Sequence, residues 1–136
     1  MKLRDSRKLK FVVLILFFVF TIIITSVMAI PVHELGHYIV SNHFSENVSV
    51  TYDISLMSLS GWCEWGNMNE TDTIISRFSG GLFSGGLLGI LWLLAFGFER
   101  NLHHMNLNFA LIFVSIKEIA VGVIEGITDK ETEEVD

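Results

Sequence analysis

A chain of 136 residues has room for one domain and not two. Hydrophobic residues make up 51 % and charged residues 18 %, which excludes a disordered chain, and the single Cys63 excludes an internal disulfide framework and a cysteine-rich zinc site. The net charge of −6 is split between a basic front and an acidic end, without the aromatic-basic patch expected of a nucleic-acid binder.

Residues 1–10 form a basic tail, with Lys2, Arg4, Arg7, Lys8 and Lys10 against Asp5 alone. They stand directly before an apolar block, so the positive-inside rule places the N-terminus in the cytoplasm. From Phe11 to Val32 no formal charge occurs over 22 residues. About 20 apolar residues cross the hydrocarbon core, and a first transmembrane span is expected over about 11–40. A secretory signal peptide shares the basic start and a small residue such as Ala29, but its apolar core has roughly 7–15 residues. Cleavage there would also discard the motif that follows.

That motif is His33-Glu34-Leu35-Gly36-His37. Histidines at i and i+4 of a helix point the same way, one turn apart. Two imidazoles so placed can hold one Zn2+ at about 2.0–2.1 Å each. Zinc lowers the pKa of a water in its open position toward about 7, and Glu34 can take the proton and later deliver it to a leaving amine. A His-Glu-His cluster in or beside a membrane helix is costly to keep without a purpose. The bland alternative is a set of interfacial polar residues marking the helix end. Pro31 removes a helix hydrogen bond just upstream and can kink the helix there. His43 lies six residues beyond His37, on another face, and reads as a loop residue.

Ser41 to Arg77 is more polar. Val48, Val50, Tyr52, Ile54 and Leu56 alternate with Ser49, Thr51, Asp53 and Ser55, the period of a half-buried strand. Leu59 to Trp65 is its expected hairpin partner, with Trp62 and Trp65 near the membrane interface. Phe78 to Phe98, 21 residues without a charge, is a second expected span. Gly81, Gly85 and Gly89 share one face of it and let another helix approach closely. The connection that follows carries His103 and His104, on the face opposite the zinc motif in this topology.

A third span is expected over about 106–127, interrupted by Lys117, Glu118 and Glu125. Glu118, Gly122, Glu125 and Asp129 form one helical stripe. The bland reading is a solvated acidic face; the functional one supplies the third zinc ligand. Depth discriminates among the acids. The motif lies toward the outer face, about 33 Å from Phe11 along the helix. Glu125 lies roughly 28 Å along the third span and matches that depth, as does Asp129, whereas Glu118, roughly 18 Å along, is expected to be too deep. One of the pair ligates and the other orients a histidine ring. An acidic tail, 129–136, ends the chain. The fold expected is therefore a single all-α membrane domain over 11–128, with three transmembrane helices and a short extramembrane β-hairpin between the first two.

Three stretches resemble the site-2 protease family of intramembrane zinc metalloproteases. Val32-His33-Glu34-Leu35-Gly36-His37-Tyr38 is similar to that family's zinc-helix signature. Gly80-Gly81-Leu82-Phe83-Ser84 looks like its Gly-Pro-x-x-Asn element, with Gly81 for Pro and Ser84 for Asn. Ile124-Glu125-Gly126 looks like its Leu-Asp-Gly element, with Glu for Asp. The resemblance implies that His33, His37 and Glu125 bind zinc, that Glu34 is the general base, and that Ser84 takes the place of an active-site Asn. A second family, membrane zinc proteases acting on prenylated or misfolded proteins, pairs the same zinc helix with Glu-x-x-x-Asp. Glu125 to Asp129 fits that spacing, with Asp129 as the partner behind the ligand.

The function expected is a zinc-dependent intramembrane endopeptidase in a multi-pass integral membrane protein. Its substrate would be a membrane-anchored protein, presented as an extended segment along a strand edge within 48–65. The alternative is a non-catalytic membrane protein: an inactive relative, a binding partner or a cation transporter using the acidic stripe.

Overall fold

The structure is a computed structural model that describes residues 2–54, 59–96 and 102–128. Its elements in chain order are α1 (Lys2–Phe44), β1 (Ser49–Ile54), β2 (Leu59–Glu64), α2 (Glu70–Phe96) and α3 (Leu102–Ile127). The three helices are long and apolar enough to cross a membrane, and the hairpin stands between the first two.

Each helix is longer than its uncharged run. α1 continues the apolar block backward through the basic tail and forward through Pro31 to Phe44, 43 residues in all. Roughly 65 Å of helix results, about twice the hydrocarbon thickness. His43 is in its last turn, not in a loop, with its ring 5.1 Å from that of Phe44. α2 begins eight residues before Phe78 because Asn69 caps it. The Asn69 side-chain oxygen accepts from the Asp72 amide at 2.8 Å and its Nδ2 donates to the Asp72 carboxylate at 2.6 Å. A reciprocal cap with Glu70 and Asp72 in the first turn satisfies the exposed amides and the positive end of the helix dipole. α3 ends where Arg77 of α2 donates to the Thr128 carbonyl at 3.0 Å. Asp129 and the acidic tail lie outside the described residues, as do His103's side chain and residues 55–58.

β1 and β2 pair antiparallel from Ser49↔Glu64 to Ile54↔Leu59. β2 shows the expected alternation, with Leu59, Gly61 and Cys63 turned inward. β1 does not: of its residues only Val50 is partly covered, and Tyr52 and Ile54 stay exposed. A two-stranded ribbon covers one strand with the helices and leaves the other overhanging.

The glycine face of α2 meets α3. A Cβ on Gly81 would collide with the Gly122 backbone, and one on Gly122 would stand 2.8 Å from the Gly81 Cα. Backbones this close allow Ser115 Oγ of α3 to donate to the Gly85 carbonyl of α2 at 2.7 Å. α1 joins this pair through its C-terminal half, around a small core of Ala29, Leu88, Leu111 and Val114. Among the described residues, eight buried side chains are polar or charged and only five are hydrophobic, while Phe11, Leu16, Phe20, Leu94, Phe109 and many other large apolar groups face outward. That inversion of the soluble pattern suits helices apolar enough to cross a membrane, since polar groups inside a span would need partners in the bundle.

Candidate metal centre

One helical turn separates His33 from His37 on α1, and both residues are 7 % exposed. Their rings stand edge to face with centroids 4.8 Å apart. The two Nε2 atoms are 3.1 Å from each other. Glu125 reaches in from α3, its Oε2 lying 3.1 Å from His33 Nε2 and 3.6 Å from His37 Nε2. These three residues form a group that could bind a metal ion.

The opposite ring nitrogens settle how the imidazoles are used. His37 Nδ1 lies 2.7 Å from the Ser76 carbonyl oxygen, and His33 Nδ1 lies 3.0 Å from Glu118 Oε2. A carbonyl only accepts, and an ionised carboxylate only accepts. Each Nδ1 therefore carries a proton and donates, so in a neutral ring each Nε2 turns its lone pair toward the other and toward Glu125. Lone pairs converging in this way could hold a cation between them. Space for it exists because residue 80 has no side chain: a Cβ on Gly80 would meet His37 Nε2 and lie 2.7 Å from His33 Nε2. The size also fits. Ligand atoms of a tetrahedral site with bonds of 2.0–2.1 Å stand about 3.3 Å apart, against 3.1, 3.1 and 3.6 Å here.

Glu34 is equally buried, at 7 % exposure, and sits under the hairpin. A Cβ on Gly61 would lie 2.7 Å from Glu34 Cγ and 3.0 Å from the Tyr52 ring, so β2 can cross this close only with glycine there. No hydrogen-bond donor holds the Glu34 carboxylate among the described residues, unlike that of Glu118. Trp65, just past β2, places its ring 6.0 Å from that of His37. Cys63 faces the same side of the hairpin, and burial, with Glu34 and Glu64 nearby, pushes its thiol up to about 11.

Of the residues expected at the site, His33, Glu34, His37 and Glu125 come together. Asp129 lies outside the described residues. His104 opens α3 and is 21 residues, about 31 Å of helix, before Glu125. Ser84 is fully buried, but its hydroxyl serves Glu118 and the Gly80 carbonyl, both at 3.0 Å, and not the converging nitrogens.

Glu118 departs from expectation. It is not too deep, because it reaches the far side of the His33 ring. Depth counted as rise per residue treats side chains as points on vertical rods. An imidazole has two nitrogens facing opposite ways, and a glutamate arm adds several ångströms, so acids two turns apart can touch one ring. The Ser76 carbonyl and the space over Gly80 had no sequence signal either, since every residue offers a carbonyl and glycine is common in this span.

No protein-family model, curated protein or solved structure matches this chain.

Proposed function

We propose that the protein is an intramembrane zinc endopeptidase similar to the site-2 protease family, cutting a peptide bond of a membrane-anchored protein. The observation that carries this reading is the convergence of His33 Nε2, His37 Nε2 and Glu125 Oε2, with both Nδ1 atoms already committed to acceptors. Two imidazoles and one carboxylate are a donor set of catalytic zinc, which keeps its fourth position open. Formal charge favours a divalent ion. Glu34, Glu118 and Glu125 carry three negative charges against Lys117, leaving two to be balanced in a setting where unpaired charge is costly.

Zinc held there supplies a Lewis acid that brings the pKa of water toward about 7. A metal bound at Nε2 of His33 and His37 would take the place of a second proton there, while the proton at Nδ1 stays with its acceptor. Glu34, with no donor on its carboxylate among the described residues, is free to accept a proton from water and return it to the departing amine. The unpaired edges of the hairpin suit an extended substrate, since main-chain pairing to a strand edge tolerates many sequences, and β2 lies directly over Glu34. The three helices cross the bilayer with the basic N-terminus in the cytoplasm and the hairpin on the other side.

Two variants test this reading. Purified wild-type protein should hold about one zinc, and His33→Ala should hold none. Glu34→Gln should keep the metal and lose about 10²–10⁴-fold in cleavage of detergent-solubilised single-span proteins, the range for a general base. Wild-type protein that binds zinc but cleaves none of them would favour the non-catalytic, cation-binding alternative.

A further inference from the structure

Glu118 is a carboxylate with 3 % exposure in the middle of the third span. None of the three motifs that carry the family resemblance includes it. Keeping an acid at such depth is expensive unless it is paired and put to use. Both of its oxygens are occupied. Oε2 accepts from His33 Nδ1 and from Ser84 Oγ, each at 3.0 Å, and Oε1 accepts from Lys117 Nζ at 2.6 Å. Glu125, two turns further along the same helix, is different: its carboxylate meets only the two Nε2 atoms among the described residues.

We propose that Glu118 is a positioning residue that orients the His33 imidazole for metal binding, and that Ser84 and Lys117 hold Glu118 to that task. The assignment rests on the metal reading above. Its logic lies in the division between two acids of one helix. A glutamate whose oxygens are already filled from three sides cannot swing round to ligate, so it acts on the ring from behind. It keeps the proton on Nδ1, stops the imidazole from flipping, and makes Nε2 a better electron-pair donor. His37 receives the same service from a neutral backbone carbonyl. The two rings are therefore unequally supported, and only the support of His33 can be removed by changing a side chain.

The test uses the full-length protein in detergent with Co2+ as the probe, read by its visible ligand-field spectrum and by competition with a metal buffer. Glu118→Gln and Glu118→Ala should weaken Co2+ binding about 10–100-fold, the usual loss when such a partner is removed, and should shift the spectrum. Glu118→Asp, which keeps the charge on a shorter arm, should recover part of both. Ser84→Ala and Lys117→Met should give smaller changes in the same direction, and they carry the test if the Glu118 variants fail to fold. Wild-type binding that depends on His33, but whose affinity and spectrum all these variants leave unchanged, would overturn the role of Glu118 alone. Wild-type protein that takes up no Co2+ at all would overturn the metal reading and this role with it.

Discussion

The two halves of α1 are both apolar, yet they have opposite surroundings. From Leu9 to Met28 no residue of the helix is buried and most of its large apolar side chains are exposed, with Leu14, Phe18 and Ile22 partly covered on one face. From Ala29 onward the same helix buries His33, Glu34, His37 and Ser41. The change begins where the glycine-rich stretch of α2 lets three backbones crowd together. Hydropathy makes the helix long and apolar enough to cross a membrane. Small residues on a neighbouring helix decide where along it polar chemistry can be housed.

The sharpest way to break that contrast is to fill the space that glycine leaves. Gly80→Ala places a methyl on the two Nε2 atoms, so metal content by elemental analysis should fall from about one per chain to none. Gly86→Ala is the matched control, because a Cβ there meets nothing within 4 Å and metal content should not change. Next in size is Gly81→Val, which drives a branched side chain into the Gly122 backbone. Overpacking of this kind costs about 1–3 kcal/mol or more, and thermal unfolding in detergent should show it. Phe20→Ala, on the bare half, should shift the same transition by no more than about 0.5 kcal/mol. A large effect at Phe20 would mean that this half is covered after all.

The smallest effect concerns the hairpin. With the Cys63 thiol raised from 9.0 to about 11, the thiolate at pH 8 is about hundredfold scarcer than for an unshifted thiol. Iodoacetamide should react slowly with the folded protein, faster as pH climbs toward 11, and at full speed once dodecyl sulfate unfolds the chain. Rapid alkylation at pH 8 would show that the hairpin does not lie over α1.

Much of this arrangement was legible in the sequence, and the exceptions share a cause. Uncharged runs located the first two helices and an apolar stretch broken by Lys117, Glu118 and Glu125 the third, and the i, i+4 spacing of His33 and His37 put both rings on one face. Counting depth selected Glu125 and Asp129, of which Glu125 meets the two rings. The helix starts were missed because an uncharged run measures hydrocarbon, whereas Asn69 and Asp72 start α2 in polar sequence; the end of α3 at Ile127 fell where expected. The alternation in β1 matched a strand but not its burial, since nothing packs against Tyr52 and Ile54 closely enough to cover them. Glu118 and the Ser76 carbonyl escaped because they act from behind a ring, and no spacing rule describes the far side of an imidazole.

The anchoring of His37 on the Ser76 carbonyl has a consequence for the molecule as a whole. Two helices contribute the donor atoms and the remaining one braces a ring through its own main chain, so an ion bound there would work as a clasp across all three. Anything that binds only the closed bundle stabilises it by mass action. Stripping the ion with a strong chelator should therefore loosen the association of the helices as well as silence the centre.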